Sequence, residues 1–136
     1  SCTGGWIAKA ITDVPGSSDV FAYGVVSYSN GAKESLLGVQ LQSLEDHGAV
    51  SEAVVTEMAA GALGLSGASI AIAVSGIAGP GGGTPDKPVG TVWFAWAVRD
   101  GSTVRSDASR EVFLGDRDLV RELTVVHALQ GVRERI

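Results

Sequence analysis

A single cysteine, Cys2, leaves this chain of 136 residues without an internal disulfide, so a reducing compartment, the cytoplasm, is its expected setting. Basic residues are few, 10 against 15 acidic ones, for a net charge of −5. That argues against non-specific binding to DNA or RNA, which needs a basic footprint, but not against a small anionic ligand held by a few arginines. No membrane segment is expected: the longest uninterrupted apolar run, Val92 to Val98, is 7 residues long, against the roughly 20 that a spanning helix needs. The opening residues lack both a charged region and a long apolar region, so they do not read as a signal peptide. A starting Met is also missing, so residues upstream of Ser1 are expected. His47 and His127 have no metal-ligand spacing with each other or with Cys2, and no metal or other cofactor is expected. Only four prolines stand against 19 glycines. The glycines cluster, which marks them as positional and not as low-complexity filler.

The length is that of one domain covering 1–136. Apolar spacing predicts a helix over Thr3–Thr12 with Ser1 or Thr3 as its cap, stopped by Val14-Pro15-Gly16-Ser17-Ser18. Val20–Ser29 reads as a strand. Asn30–Leu37 reads as a short helix closed by Gly38, and Ser43–His47 as one further turn stopped by Gly48. Ser51 caps a longer helix through Leu65, whose apolar face is Val54, Val55, Met58, Ala59 and Ala62. Ser69–Ser75 reads as a buried central strand, Gly76–Pro88 as a long irregular loop, and Gly90–Arg99 as a second strand. The turn Asp100-Gly101 leads into an edge strand over Val104–Leu114. Asp116 caps the last helix, with a stripe of Leu119, Leu123, Val126, Leu129, Val132 and Ile136. Trp93 and Trp96, three apart in a strand, face opposite sides. Helices interleaved with strands and one hairpin predict an α/β fold with a mixed sheet between helices.

Four segments carry candidate chemistry. Ser1-Cys2-Thr3-Gly4-Gly5 joins hydroxyls and a thiol to two glycines at a helix start, where free amides can hold an oxyanion. A plain helix cap is the competing reading. Tyr28-Ser29-Asn30-Gly31-Ala32-Lys33 lies where a strand gives way to a helix. A lysine there can activate a serine if its pKa is lowered, with Tyr28 relaying the proton or holding the lysine; the alternative is an ordinary surface lysine. The run from Ser75 through Gly76, Gly79, Pro80 and Gly81 to Gly83 is neither a Walker loop nor a dinucleotide fingerprint, but it exposes amides suited to phosphate or ribose. Arg117 and Arg121, one helical turn apart, can clamp a phosphate or serve as surface ion-pairing groups.

Together these segments resemble the C-terminal domain of the competence/damage-inducible CinA proteins, the nicotinamide-nucleotide amidohydrolase family. The matching stretches are Ser-Cys-Thr-Gly-Gly at 1–5, Pro-Gly-Ser-Ser at 15–18, Tyr-Ser-Asn at 28–30 with Lys33, and His-Gly-Ala-Val-Ser at 47–51. They continue with Gly-Ile-Ala-Gly-Pro-Gly-Gly at 76–82, Lys-Pro-Val-Gly-Thr-Val at 87–92 and Gly-Asp-Arg at 115–117, in order across nearly the whole chain. The resemblance implies a three-layer α/β/α sandwich and hydrolysis of the carboxamide of nicotinamide mononucleotide to nicotinate mononucleotide and ammonia. It places the nucleophile on Ser1 and the assisting groups on Tyr28 and Lys33. Ser75 stands where the family usually has Thr. Thr3, Gly4, Gly5, Ser75, Gly76, Gly79, Pro80, Gly81, Arg117 and Arg121 are the expected substrate-binding residues, and the expected partner is a small nucleotide, with a homo-oligomer as the assembly. The resemblance also implies a helix and a strand upstream of Ser1, and fusion to a larger N-terminal domain in some members. Three rival readings accompany it: Cys2 as the nucleophile, Ser1 acting through its own α-amine, and a non-catalytic nucleotide-binding or regulatory module of a larger protein.

Overall fold

The computed structural model describes all 136 residues. Its elements run α1 (Trp6–Thr12), a single 3-10 turn (Ser17–Asp19), α2 (Asn30–Leu37), α3 (Leu41–His47), α4 (Glu52–Ser66), β1 (Ile70–Gly76), β2 (Thr91–Asp100), β3 (Thr103–Val112) and α5 (Arg117–Glu134). The sheet lies between two helical layers, so the α/β sandwich expected from the interleaving holds. On one face, Ala73, Ala95 and Ala97 meet Val54, Val55, Met58, Ala59 and Leu63 of α4, with Leu37 of α2 and Leu44 of α3 behind them. On the other, Val74, Val92, Phe94 and Trp96 pack on Val120 and Ala128 of α5 and on Cys2. No helix is long and apolar enough to cross a membrane.

The sheet itself departs from expectation. Its order is β1-β2-β3, and both pairings are antiparallel, so it is not mixed. Parallel neighbours need a crossover of a dozen or more residues, usually a helix; here β1 returns as β2 through the loop at 77–90, and β2 returns as β3 through a two-residue turn. The 69–75 segment is an edge strand, and β2 is the central one. Its unbroken apolar run reflects helices on both faces, not neighbours on both sides. Val20–Ser29 forms no ladder at all: residues 21–28 belong to no helix or strand. Its β-branched and aromatic residues suit a strand, yet that preference supplies no partner for the backbone.

The helices also show where pattern reading goes astray. Gly4 and Gly5 have φ of 60° and 95°, so the chain turns sharply and α1 starts only at Trp6, capped by neither Ser1 nor Thr3. Ser29, Ser51 and Asp116, by contrast, each accept a hydrogen bond from the third residue onward, as N-caps do. In α5 the buried stripe is Val120, Thr124, Val125, Ala128 and Gly131, while Leu119, Val126 and Ile136 of the expected stripe are exposed. The cause is Trp96: a Cβ on Gly131 would sit 2.2 Å from its ring. The Trp96 ring leaves no room for a side chain at Gly131, while His127 lies tilted against both Phe94 and Trp96.

One close approach fixes α2, which carries Lys33. A Cβ on Gly61 of α4 would lie 2.0 Å from the carbonyl oxygen of Leu37, the last residue of α2. Replacing Gly61 with Ala therefore forces the two helices apart. Overpacking costs roughly 1–3 kcal/mol, which outweighs the ~1 kcal/mol of helix propensity gained. Gly61→Ala is expected to lower the midpoint of urea unfolding without changing the slope; an unchanged or raised midpoint contradicts this packing.

Candidate active site

Ser1 sits against the end of β1. Its backbone nitrogen donates to the carbonyl of Val74, and its hydroxyl donates to Ser75 Oγ at 3.3 Å. The turn that follows is closed by Gly4 N–H to the Ser1 carbonyl (3.3 Å) and Trp6 N–H to the Thr3 carbonyl (3.2 Å). Thr3 is buried, whereas Gly4 is exposed at the mouth of the turn. Arg121 of α5 ties the loop down from the far side: Nε donates to the Cys2 carbonyl and a terminal nitrogen to the Thr3 carbonyl, both at 3.1 Å. The guanidinium also lies over the Trp6 ring, 5.5 Å from its centre.

Lys33 is the largest fully buried side chain in the protein, at 1% exposure. Its ammonium donates to the carbonyls of Ser27 (2.9 Å) and Tyr28 (3.0 Å), and no carboxylate pairs with it. Burial disfavours the charged form and pushes its pKa below the ordinary lysine value. Lys33 lies within charge-interaction range of the Ser1 backbone nitrogen. The irregular segment before α2 thus has a task despite lacking a strand partner: its carbonyls hold a lysine. Tyr28 takes part through its main chain; its side chain is exposed and its phenol makes no hydrogen bond within the chain. In this arrangement the Ser1 hydroxyl meets Ser75, which is itself buried at 1%, and makes no direct hydrogen bond to Lys33.

The glycine-rich loop is an ordered structure. Ile77 N–H donates to the Thr91 carbonyl (2.9 Å), Gly90 N–H to the Ile77 carbonyl (2.7 Å) and Thr84 N–H to the Lys87 carbonyl (2.8 Å). Gly76 is packed so tightly on Val92 that a Cβ would come within 2.7 Å of it. Gly79 is buried beside Val89, and its carbonyl accepts from Arg117 at 2.8 Å, while Pro80 and Gly81 are exposed. Both arginines therefore commit guanidinium donors to main-chain carbonyls: Arg121 to the serine loop, Arg117 to the glycine loop. Sequence spacing alone gave no sign of this tethering, since the bonds span 38 to 119 positions. No group of three or more His, Cys, Asp or Glu side chains is placed to hold a metal.

Cys2 points the other way, into the core with Val74, Phe94 and Val120. Burial pushes its thiol pKa up, the reverse of what a nucleophilic thiolate needs.

A half-buried serine hydroxyl bonded to buried Ser75, with desolvated Lys33 nearby, thus lies at the edge of an α/β sandwich. The CinA C-terminal domain model matches residues 1–136, and the chain belongs to that family. It is 55% identical over 130 residues to the nicotinamide-nucleotide amidohydrolase PncC of Escherichia coli K12, covering 96% of this chain and 77% of that one. A CinA-like protein of Akkermansia muciniphila is 57% identical over 132 residues, 97% of this chain but 31% of that longer one. The crystal structure of the competence damage-inducible protein A from Klebsiella pneumoniae superposes with a TM-score of 0.92 at 45% identity, covering 98% of this chain and 81% of that one.

Two outcomes follow from the placement. Cys2→Ala is expected to keep its activity, and the native thiol to resist iodoacetamide near neutral pH until the protein is unfolded; rapid native labelling with loss of activity would reverse this assignment. Arg121→Ala, which frees the serine loop, is expected to lower kcat on the order of 10²-fold with little change in KM. Arg121→Lys, able to reach only one carbonyl well, is expected to restore part of the loss.

Proposed function

We propose that this protein hydrolyses the carboxamide of nicotinamide mononucleotide to nicotinate mononucleotide and ammonia. The observation that carries the chemistry is Lys33, a buried lysine with no acidic partner next to the serine loop; the substrate is read from the amidohydrolase relatives, to one of which 96% of this chain aligns. Neutral Lys33 takes the Ser1 hydroxyl proton, and Ser1 Oγ attacks the carboxamide carbon. The oxygen of the tetrahedral intermediate is held by amides of the 3–5 turn or of Ser75 and Gly76, donors of a kind whose single loss costs ~2.7–4 kcal/mol. The proton on Lys33 passes to the departing amine as the acyl–serine ester forms. Water, deprotonated by the same amine, then releases nicotinate mononucleotide and regenerates Ser1.

In this reading the carbonyls of Ser27 and Tyr28 aim the amine, and catalytic binding draws the Ser1 hydroxyl from Ser75 toward Lys33; such contacts often tighten only when substrate is bound. The Tyr28 phenol, free at the mouth, closes over the substrate and assists proton transfer.

Ser1→Ala is expected to reduce ammonia release on the order of 10⁴-fold or more, and Lys33→Ala by roughly 10²–10⁴-fold, in variants whose circular dichroism is unchanged. The pH dependence has a definite sign. The working form of Lys33 is neutral, and burial lowers its pKa, so kcat/KM rises with pH along an acidic limb whose midpoint lies below the ordinary lysine value. That limb disappears in Lys33→Ala. Ammonia release at the unaltered rate from either variant excludes the scheme, and binding without turnover by the unaltered protein would favour a regulatory module.

A further inference from the structure

Two of the stretches shared with the family, 47–51 and 87–92, lend no polar side chain to the site described so far, yet the fold brings them together. His47 ends α3, Ser51 caps α4, and Lys87 precedes β2; with Glu52, Thr56 and Trp93 they bound an open cleft of about 600 Å³. That lies within the ~300–1,000 Å³ typical of small-ligand sites. Lys87 crosses the cleft mouth to donate to the carbonyl of His47. No carboxylate lies within ion-pairing distance of it, unlike Lys9, which pairs with Asp13 at 2.7 Å. An ammonium has three donors, so two remain for a ligand.

Neither serine of the hydroxyl pair lines the cleft, but Trp93, which does, links the two. Trp93 is the direct cross-strand partner of Ser75, on the same face of the sheet. Opposed residues in an antiparallel pair have Cβ atoms roughly 4.5–5.5 Å apart, and Ser75 Oγ is 3.3 Å from Ser1 Oγ. The half-buried indole of Trp93 is therefore a flat wall running from the hydroxyl pair into the cleft. Meanwhile Arg117 and Arg121 are bonded to main-chain carbonyls.

From this juxtaposition we infer that the cleft receives the sugar-phosphate end of the substrate. The Lys87 ammonium pairs with the phosphate, the Glu52 carboxylate accepts from the ribose hydroxyls, and Trp93 lies along the ligand between the two ends. The inference rests on the mononucleotide reading above, but it is tested by binding and not by turnover. Ser1→Ala protein, which leaves the ligand intact, is titrated by calorimetry with nicotinamide mononucleotide and with nicotinamide riboside, with and without Lys87→Ala. The expected result is a roughly 10-fold or greater loss of affinity for the mononucleotide on Lys87→Ala, with affinity for the riboside unchanged. Unchanged affinity for the mononucleotide overturns the inference. So does an equal loss for both ligands, which would make Lys87 merely a tether for the 47–51 segment. Ammonia release by the unaltered protein reports separately on the deamidation reading: if that is present and the Lys87 effect is absent, only this placement fails.

Discussion

A lysine buried on two carbonyls, with no counter-charge, is the constraint around which the rest of this molecule is arranged. Burying an ammonium without a carboxylate disfavours its charged form, and the protein meets that with two well-placed acceptors from Ser27 and Tyr28 and with a lowered pKa. Short α2 presents Lys33 inward because Ser29 caps its start, accepting from Ala32 N–H at 3.1 Å, and Gly38 ends it in a left-handed conformation. The bare Gly61 surface of α4 lets the helix close on the core at its far end.

The serine loop meets this lysine from the opposite direction, and its geometry follows from different residues. Two left-handed glycines bend the chain so that Ser1 is not part of α1. The Val74 carbonyl pins its backbone to the edge of β1, and Arg121 reaches across from α5 to hold the next two carbonyls. The two helical layers thus act on different parts of the site: the α4 side positions Lys33, the α5 side positions the Ser1 loop. The sheet between them, through Val74 and Ser75, keeps the parts in register. Cys2 packs into the α5-side core with Val74, Phe94 and Val120.

Much of this was legible beforehand, in unequal measure. Caps at Ser29, Ser51 and Asp116 were readable because an N-cap depends on a few adjacent residues. The opposite facing of Trp93 and Trp96 followed from the two-residue period of a strand, and they do lie in different cores. Lateral order in the sheet was not readable: an apolar run such as Ile70–Val74 reports burial on its faces and says nothing of its edges. The face of α5 was misjudged because Leu119 and Val126 look more apolar than Ala128 and Gly131. Steric room beneath Trp96 decides in favour of Ala128 and Gly131, and a ring 32 positions from the nearer of them cannot be weighed by local periodicity. The site divides likewise. Motif order singled out Ser1, Tyr28 and Lys33, but not that Tyr28 serves Lys33 through its carbonyl, nor that the arginines bind main chain. The stretches at 47–51 and 87–92 were visible as motifs without a role, since only the fold shows that they share a cleft.

The chain has three lysines, Lys9, Lys33 and Lys87, which makes the central claim directly measurable. With the lysine ε-carbons labelled, an NMR titration follows each amine separately, assigned by substitution. The account predicts that Lys33 titrates at lower pH in the folded protein than in denaturant. A Lys33 midpoint that folding leaves unchanged would contradict it, leaving the buried amine charged at working pH and unable to take a proton from Ser1.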